Sequence, residues 1–123
     1  MNDIEDIQTA MQELDDRNWA NAPTITTIDG FKWILGPKAP EDLDWYDAVE
    51  WCKSVGGELP PREVLLMCYL NEDIKKEFTE TNYWSSTEFS ATNAWFQYFL
   101  YGDQTYYTKT FSFYVRAVRR FAI

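Results

Sequence analysis

The chain has 123 residues, of which 46% are hydrophobic, 18% aromatic and 25% charged. This length fits one globular domain, which can bury roughly two-thirds of its unfolded surface without a metal or a disulfide. Eleven Lys and Arg residues against 20 Asp and Glu residues give a net charge of −9, so the surface repels nucleic acid and anionic lipid. The sequence contains no histidine, which excludes Ser–His and Cys–His catalytic pairs and His-ligated metal sites.

The N-terminal segment is predicted to form an amphipathic helix over residues 2–17. Its apolar residues recur at spacings of three and four and form one stripe, made of Ile4, Ile7, Met11 and Leu14. The stripe either docks on the rest of the chain or forms a short seam with a second copy or a partner, because two heptads with apolar a and d positions are present. We treat residues 1–18 as a separate N-terminal helix.

A β-hairpin is predicted after this helix. Residues 24–28 and 31–35 are rich in β-branched and aromatic side chains, and Asp29-Gly30 between them is a turn signal. Residues 36–40 contain two prolines and a glycine and are predicted to form a loop.

A helix is then predicted from Trp45, with Asp42 or Asp44 as its N-cap. Its apolar periodicity stops at Gly56-Gly57, which are expected to end it.

A second central helix is predicted from Pro61, which lies near its first turn, to about Tyr69. From Tyr83 to Val118 the chain has the composition of short strands, rich in Tyr, Phe, Thr and Trp. The order is therefore helix, hairpin, two helices and a strand-rich final third, which is typical of the α+β class.

An ordered series of motifs runs through residues 25–121. The motifs are Trp45-Tyr46-Asp47-Ala48-Val49-Glu50-Trp51-Cys52, Gly56-Gly57, Leu59-Pro60, Tyr83-Trp84-Ser85-Ser86-Thr87, Asn93-Ala94-Trp95 and Val115-Arg116-Ala117-Val118-Arg119. In this order they resemble the C-type-lectin-like fold, shared with formylglycine-generating enzymes, in which two helices pack on short antiparallel strands. More narrowly, the chain is similar to the variable proteins of diversity-generating retroelements. The resemblance implies a C-type-lectin-like domain over residues 19–123, with a variable region at about residues 89–114.

In that family a mutagenic reverse transcription directed at adenines rewrites a C-terminal stretch. Adenine changes in asparagine codons reach most amino acids, but never Lys, Glu, Gln, Met or Trp. Six positions are taken as the constant framework of this stretch: Gln97, Phe99, Gly102, Gln104, Lys109 and Ser112. All other positions from 96 to 114 carry residues that such mutation reaches. These candidate ligand-binding residues are Phe96, Tyr98, Leu100, Tyr101, Asp103, Thr105, Tyr106, Tyr107, Thr108, Thr110, Phe111, Phe113 and Tyr114.

The sequence departs from the calcium-dependent lectins and the sulfatase-modifying enzymes of this fold. The Glu-Pro-Asn, Gln-Pro-Asp and Trp-Asn-Asp motifs of sugar-binding lectins are absent, and no cysteine follows Cys68. Many relatives link the first-helix cysteine, here Cys52, to a cysteine in the last strand, whose position here is Ala117. We therefore expect no metal, no cofactor and no catalysis, and two reduced thiols that pack as small apolar side chains.

Alternation along the strand around residue 96 predicts a surface rich in aromatic rings. We expect Trp95 and Phe99 to face the core, with Phe96 and Tyr98 on the opposite, exposed face. Exposed Tyr and Phe usually mark binding sites, because rigid rings supply contact area at a low entropic cost. The sequence thus predicts a non-catalytic binding module. The alternatives are an enzyme, or a structural protein that buries the aromatic stretch in an oligomer interface.

The expected ligand is a protein, and neither a nucleic acid partner nor membrane insertion is expected. The N-terminal residues lack the apolar core of a signal peptide, and no apolar run is long enough to cross a bilayer. We therefore expect the protein in the cytoplasm or on a virion, with surface display only through a partner. The N-terminal helix is the expected site of a homo-oligomer contact or of partner docking.

Overall fold

The computed structural model describes residues 3–123, apart from the side chains of Asp3 and Leu14. Its elements are α1 (Asp3–Trp19), β1 (Thr24–Ile28), β2 (Phe31–Lys38), α2 (Trp45–Ser54), α3 (Arg62–Leu70), α4 (Glu72–Lys75), β3 (Asn82–Glu88), β4 (Asn93–Tyr98), β5 (Gln104–Thr108) and β6 (Arg116–Ala122). The described chain is mixed α+β, with helices and two small antiparallel sheets, as the sequence predicts.

Each sheet has three strands. The order is β1-β2-β6 in the first sheet and β3-β4-β5 in the second. The β1–β2 hairpin turns at Asp29 and Gly30, whose φ angles of 54° and 78° suit a tight turn of the primed type. Isolated bridges pair Tyr83 with Tyr114 and Leu43 with residue 113. These bridges hold the segment before β6 against β3 and against the segment before α2.

β2 is longer than the sequence indicates. The predicted loop at residues 36–40 is wrong for its first three positions, because Gly36, Pro37 and Lys38 continue the strand. The pairing of β2 with β6 shifts between Leu35 and Lys38, and a proline fits such an irregularity because it has no backbone N–H to donate.

The two central helices begin and end close to the predicted positions. Asp44, rather than Asp42, caps α2, and its carboxylate accepts a hydrogen bond from the Asp47 backbone N–H at 2.8 Å. Pro61 precedes the first residue of α3. The short helix α4 is not predicted from the sequence, and the side chain of Asn71 caps it.

Two buried clusters form the core, and each draws residues from both sheets. The first cluster joins α2 to the sheets and contains Cys52, Trp84 and Ala117. The second joins α3 to the sheets and contains Cys68 and Val118. The proximity of Cys52 and Ala117 agrees with the expected packing of the first central helix against the last strand. Both cysteines are free and buried, as expected.

α1 is attached near its C-terminal end. The Trp19 ring is buried, and its indole N–H donates to the Val55 carbonyl oxygen at 2.8 Å. Arg119 of β6 donates a hydrogen bond to the Asp15 carboxylate, and its guanidinium lies 4.3 Å from the centre of the Trp19 ring. One end of this helix is therefore part of the domain.

The apolar stripe of α1 is not covered by the described part of the chain. Ile4, Ile7 and Met11 are 66%, 58% and 65% exposed. The fourth predicted member, the Leu14 side chain, lies outside the described residues, as does the start of the predicted helix at residue 2. Docking of the other three residues on their own domain is therefore wrong, and a seam with another chain stays a prediction.

Candidate ligand-binding site

The pairing of β4 with β5 decides which candidate residues share a face. Trp95 pairs with Tyr106, and Phe96 pairs with Thr105. Because paired residues of an antiparallel sheet point to the same side, Trp95 and Tyr106 share one face and Phe96 lies on the other. Ala94, on the same face as Phe96, is fully buried. Gln97, on the Trp95 face, is fully buried as well, so β4 has packed residues on both faces.

The expected exposure of the Phe96 ring is wrong. Phe96 packs against the core, with its ring centroid 6.4 Å from Trp84 and 4.5 Å from Phe113. Trp95, expected in the core, is only partly buried. Phe99 is buried as predicted, but it follows the last residue of β4. Because Phe99 lies outside the strand, its burial does not indicate which way the Trp95 side chain points.

The partly buried Trp95 and the exposed Phe89 and Tyr106 form an aromatic group, here called the Trp95 cluster. Phe89 and Tyr106 stack with ring centroids 3.7 Å apart and planes inclined by 4°. Trp95 meets both rings edge-on, at 5.9 Å and 5.4 Å. The guanidinium of Arg62 lies 3.6 Å from the centre of the Trp95 ring. Phe89 and Tyr106 are 49% and 42% exposed, so the cluster offers ring surface to a ligand.

Tyr107, Phe111 and Phe113 form a second group, here called the Phe113 cluster. The exposed rings of Tyr107 and Phe111 meet edge-on at 5.0 Å, and Phe111 lies 5.1 Å from Phe113. Phe113 itself is buried, because its backbone N–H donates to the Leu43 carbonyl oxygen and its ring packs 4.6 Å from Trp84. The expected exposure of Phe113 is therefore wrong. This ring is the base on which the two exposed rings rest.

The remaining aromatic candidates lie at the β4–β5 turn and before β6. Tyr98 and Tyr101 meet edge-on at 5.8 Å, and Tyr101 is highly exposed. Tyr114 is partly buried, with the Lys38 ammonium 4.4 Å from its ring centre. Because Tyr101 is at the turn of the hairpin and the Phe113 cluster at its open end, the candidates are spread along the β4–β5 hairpin.

Burial divides the thirteen candidates into three groups. The exposed ones are Leu100, Tyr101, Asp103, Thr105, Tyr106, Tyr107, Thr110 and Phe111. The partly buried ones are Phe96, Tyr98, Thr108 and Tyr114. Phe113 is buried.

Lys109, one of the framework positions, is a buried cation at the open end of the hairpin. It is 3% exposed, and its ammonium donates to the Glu88 carboxylate at 2.5 Å and to the Ala91 carbonyl oxygen at 3.0 Å. The ammonium also lies 4.5 Å from the centre of the Trp45 ring. A buried charge is stable only when it is paired in this way. Lys109 thereby ties the segment after β5 to the loop before β4.

Two further framework residues connect β4 and β5 to α3. The Gln97 side chain is fully buried, and it accepts a hydrogen bond from Gln104 Nε2 at 2.7 Å. The same Gln104 nitrogen donates to the Arg62 carbonyl oxygen at 2.8 Å, and Arg62 Nε donates to Gln104 Oε1 at 2.9 Å. This network satisfies buried polar groups and fixes the first residue of α3 on the sheet.

The two thiols are poorly suited to nucleophilic chemistry. Burial raises the pKa of Cys52 to about 12, and the charge of Glu58 adds to the effect. Burial also raises the pKa of Cys68 to about 12, although the nearby Arg116 acts in the opposite direction. Because the thiolate is the reactive form, both groups are protonated and unreactive at neutral pH.

Two contributors to this surface, Phe89 and Arg62, are not among the predicted ligand-binding residues. Phe89 lies at the start of the predicted variable region, and an aromatic residue within residues 89–114 is the signal that identifies it. Arg62 had no comparable signal, since only the packing of α3 on β4 and β5 brings it to Trp95.

A groove of about 530 Å³ lies between α1 and the end of α2, and none of its lining residues, among them Met11 and Val55, is a ligand-binding candidate. Within residues 3–123, no group of three or more acidic or thiol side chains is arranged to hold a metal ion. None of the described helices is both long and apolar enough to cross a membrane.

No protein-family model matches the chain, and no curated protein matches it at a significant level.

Proposed function

We propose that the protein is a non-catalytic ligand-binding module with a C-type-lectin-like fold, the variable protein of a diversity-generating retroelement. Its ligand is a protein, bound without metal or cofactor by exposed side chains of the β4–β5 hairpin and of the segment up to residue 114. It acts in the cytoplasm or on a virion. The proposal depends on one observation about this stretch. Some of its side chains hydrogen-bond to the rest of the domain, whereas most of the candidate side chains are exposed to solvent.

Some amino acids cannot arise by adenine mutation of asparagine codons. In this stretch, the residues of those types make the hydrogen bonds that connect the elements of the domain. Between residues 96 and 114 these are Gln97, Gln104 and Lys109, whose side chains hydrogen-bond across β4, β5, α3 and the loop before β4. Eight of the thirteen candidate positions are exposed. A stretch that is repeatedly rewritten keeps its fold only if the rewritten side chains contribute little to stability. The observed division meets that condition at those eight positions.

Two packing features support the C-type-lectin-like alignment. Cys52 of α2 and Ala117 of β6 share one buried cluster, as expected where relatives carry a disulfide. Trp84, from the Tyr83–Thr87 motif, is fully buried in the same cluster, and its indole N–H donates to the Leu43 carbonyl oxygen at 3.0 Å. The burial of these motif residues in one cluster supports the proposed alignment.

The chemistry of the exposed side chains favours a protein ligand. Tyr and Phe rings supply large rigid contact areas, while Thr supplies adaptable hydrogen bonds. In the Trp95 and Phe113 clusters the rings support one another, so little side-chain entropy remains to be lost on binding. Tyrosine is frequent among the residues that dominate the energy of protein interfaces.

A pair of displayed libraries tests the proposal. In the first library, the eight exposed candidates are varied with asparagine codons mutated at both adenines, and the proteins are selected for binding to lysozyme. In the control library, the same codons replace Gln97, Gln104 and Lys109. We expect folded members and lysozyme binders from the first library, and loss of folded protein from the second. Equal loss of folding in both libraries would overturn the proposal.

The assembly alternative makes a different prediction for the unmodified protein. A structural protein that buries the aromatic stretch would show a mass that rises with concentration, and substitution of Tyr107 and Phe111 with Ser would abolish that rise. Sedimentation of the wild type and of this double variant distinguishes the two functions.

The neighbouring DNA offers an independent test of the retroelement. We expect a near-copy of codons 96–114 that differs at adenines, beside a reverse-transcriptase gene.

A further inference from the structure

Arg62 is held rigidly beside the exposed rings. Its Nε donates to Gln104 Oε1 at 2.9 Å, and its guanidinium lies over the Trp95 ring at 3.6 Å. The backbone of the same residue is fixed as well, because its N–H donates to Thr87 Oγ1 at 3.0 Å and its carbonyl oxygen accepts from Gln104. An arginine held by stacking and by one side-chain hydrogen bond has lost most of its rotamer freedom before any ligand arrives.

The charge of Arg62 has no anionic partner within the described residues. Ion pairs of the described chain involve other cations, including Arg119 with Asp15 and Arg120 with Glu58. At Arg62 the hydrogen bond and the ring contact are both made with neutral groups. A guanidinium carries five N–H donors, so fixing Nε leaves the two terminal nitrogens able to donate to a planar anion.

One face of this guanidinium is covered by an aromatic ring. Trp95 lies beneath it and contacts Phe89 and Tyr106, whose stacked rings are both more than 40% exposed. A ligand group that reached the terminal nitrogens would therefore lie next to aromatic surface. The site combines a fixed cation with a hydrophobic contact area.

We propose that Arg62 is a fixed carboxylate-binding anchor within the ligand surface. The group that it takes is a carboxylate adjacent to an apolar side chain, as in an acidic residue next to an aromatic one or in a chain terminus that ends in Phe. The carboxylate accepts from the terminal nitrogens of Arg62, and the apolar group packs on Phe89 and Tyr106. This inference rests on the proposed binding function and specifies one chemical feature of its ligands.

The anchor is constant under the proposed mutagenesis. Arg62 lies in α3, outside the variable stretch, and its two side-chain partners, Trp95 and Gln104, are residues that adenine changes in an asparagine codon do not produce. Tyr106, at the edge of the site, is of a type that such changes do produce. Ligands selected by different variants would therefore share the carboxylate and differ in the groups around it.

The probes are N-acetyl-phenylalanine, which carries the carboxylate, and N-acetyl-phenylalaninamide, which differs in that charge. Binding is followed by the NMR shifts of the Arg62 Nε–H and the Trp95 indole N–H. We expect the acid to bind the wild type at least about tenfold more tightly than the amide, the factor that one charge-assisted hydrogen bond of about 1.4 kcal/mol supplies. Raising the ionic strength should weaken binding of the acid more than that of the amide.

The variants are Arg62→Gln, Arg62→Lys and the matched control Arg120→Gln. Arg120 also lies over aromatic rings, 5.0 Å from Phe31, but it is already paired with Glu58. We expect Arg62→Gln to remove the preference for the acid, Arg62→Lys to restore part of it, and Arg120→Gln to leave it unchanged. Should Arg62→Gln fail to fold, the acid–amide comparison and its salt dependence in the wild type decide the matter.

The two proposals fail in different experiments. If acid and amide bind the wild type equally, or if folded Arg62→Gln keeps the preference, the anchor is wrong, while the library experiment is unaffected. If the exposed positions do not tolerate variation, the binding function is wrong whatever the probes do. Equal affinity for N-acetyl-phenylalanine and its amide is therefore the result that overturns this inference.

Discussion

Trp95 and Phe96 are neighbours on β4 whose rings have different surroundings. Phe96 contacts Trp84 and Phe113 in the core, whereas Trp95 is at the surface with Arg62 above it. We expect Phe96→Ala to lower the free energy of unfolding by about 2–3 kcal/mol, somewhat less than for a fully buried Phe. Trp95→Ala should lower it by about 1 kcal/mol. Urea denaturation of both variants measures the difference, and a larger loss for Trp95→Ala would contradict the orientation of β4.

The buried thiols give the stability a pH dependence in alkali. The pKa of each thiol rises from an ordinary value of 9.0 to about 12 in the folded protein. Below pH 9 the thiols are protonated in both states, so their contribution to stability is fully present. Between pH 9 and 12 the unfolded state loses these protons and the folded state keeps them, so the free energy of unfolding falls as the pH rises.

Cys52→Ala isolates this effect. Its cavity lowers stability at every pH, but the variant should lose stability less steeply above pH 9 than the wild type, by about 1.4 kcal/mol per pH unit. Urea denaturation at a series of pH values gives both slopes. Parallel slopes would mean that the folded protein exposes this thiol to solvent.

At the scale of elements, α1 combines one buried residue with an exposed apolar stripe. We expect the double variant Ile7→Gln, Met11→Gln to change the free energy of unfolding by less than about 0.5 kcal/mol per site, because both side chains are exposed. Trp19→Ala, the matched change at the buried end, should cost about 3–5 kcal/mol. Thermal denaturation at low protein concentration measures both. A large loss in the double variant, together with a fall in sedimenting mass, would show that the stripe is covered by a second copy.

The sequence predicts elements better than it predicts their faces. The hairpin at Asp29-Gly30 and the helix that starts at Trp45 depend on local signals, and both are present in the structure. The continuation of β2 through Pro37 depends on pairing with β6, which has no local signal. The environment of the β4 rings has the same origin: Trp95 and Phe96 are both large and apolar, and only the position of the first core cluster decides that Phe96 packs against it.

In the candidate site, too, features with a local signal could be predicted, whereas features that depend on distant contacts could not. Exposure of Tyr106, Tyr107 and Phe111 could be predicted from composition, because a small domain cannot bury so many rings. The burial of Phe113 depends on a backbone pairing with Leu43, far away in the sequence. The contribution of Arg62 depends on contacts between separate elements and could not be predicted for that reason.

At the scale of the whole molecule, we expect the two core clusters to unfold as one cooperative unit. Trp33 and Tyr83, from different sheets, lie in one cluster, and Ile34 and Trp84 lie in the other. Loss of either cluster therefore removes packing from both sheets. We expect urea unfolding followed by tryptophan fluorescence and by far-ultraviolet circular dichroism to give coincident transitions. Separate midpoints would mean that one sheet survives without the other.

Trp19 is inserted into a slot that two glycines make possible. A Cβ at Gly36 or at Gly57 would overlap its indole ring, so the ring is closely surrounded by backbone on two sides. At 1.5 Å per residue, Ile4 lies roughly 22 Å along α1 from this anchor. The helix is thus fixed to the domain only near its C-terminal end. Its backbone hydrogen bonds should therefore open more easily with distance from Trp19. Amide hydrogen exchange should accordingly be slowest next to Trp19 and accelerate turn by turn toward Ile4. A ligand for the apolar stripe would flatten that gradient.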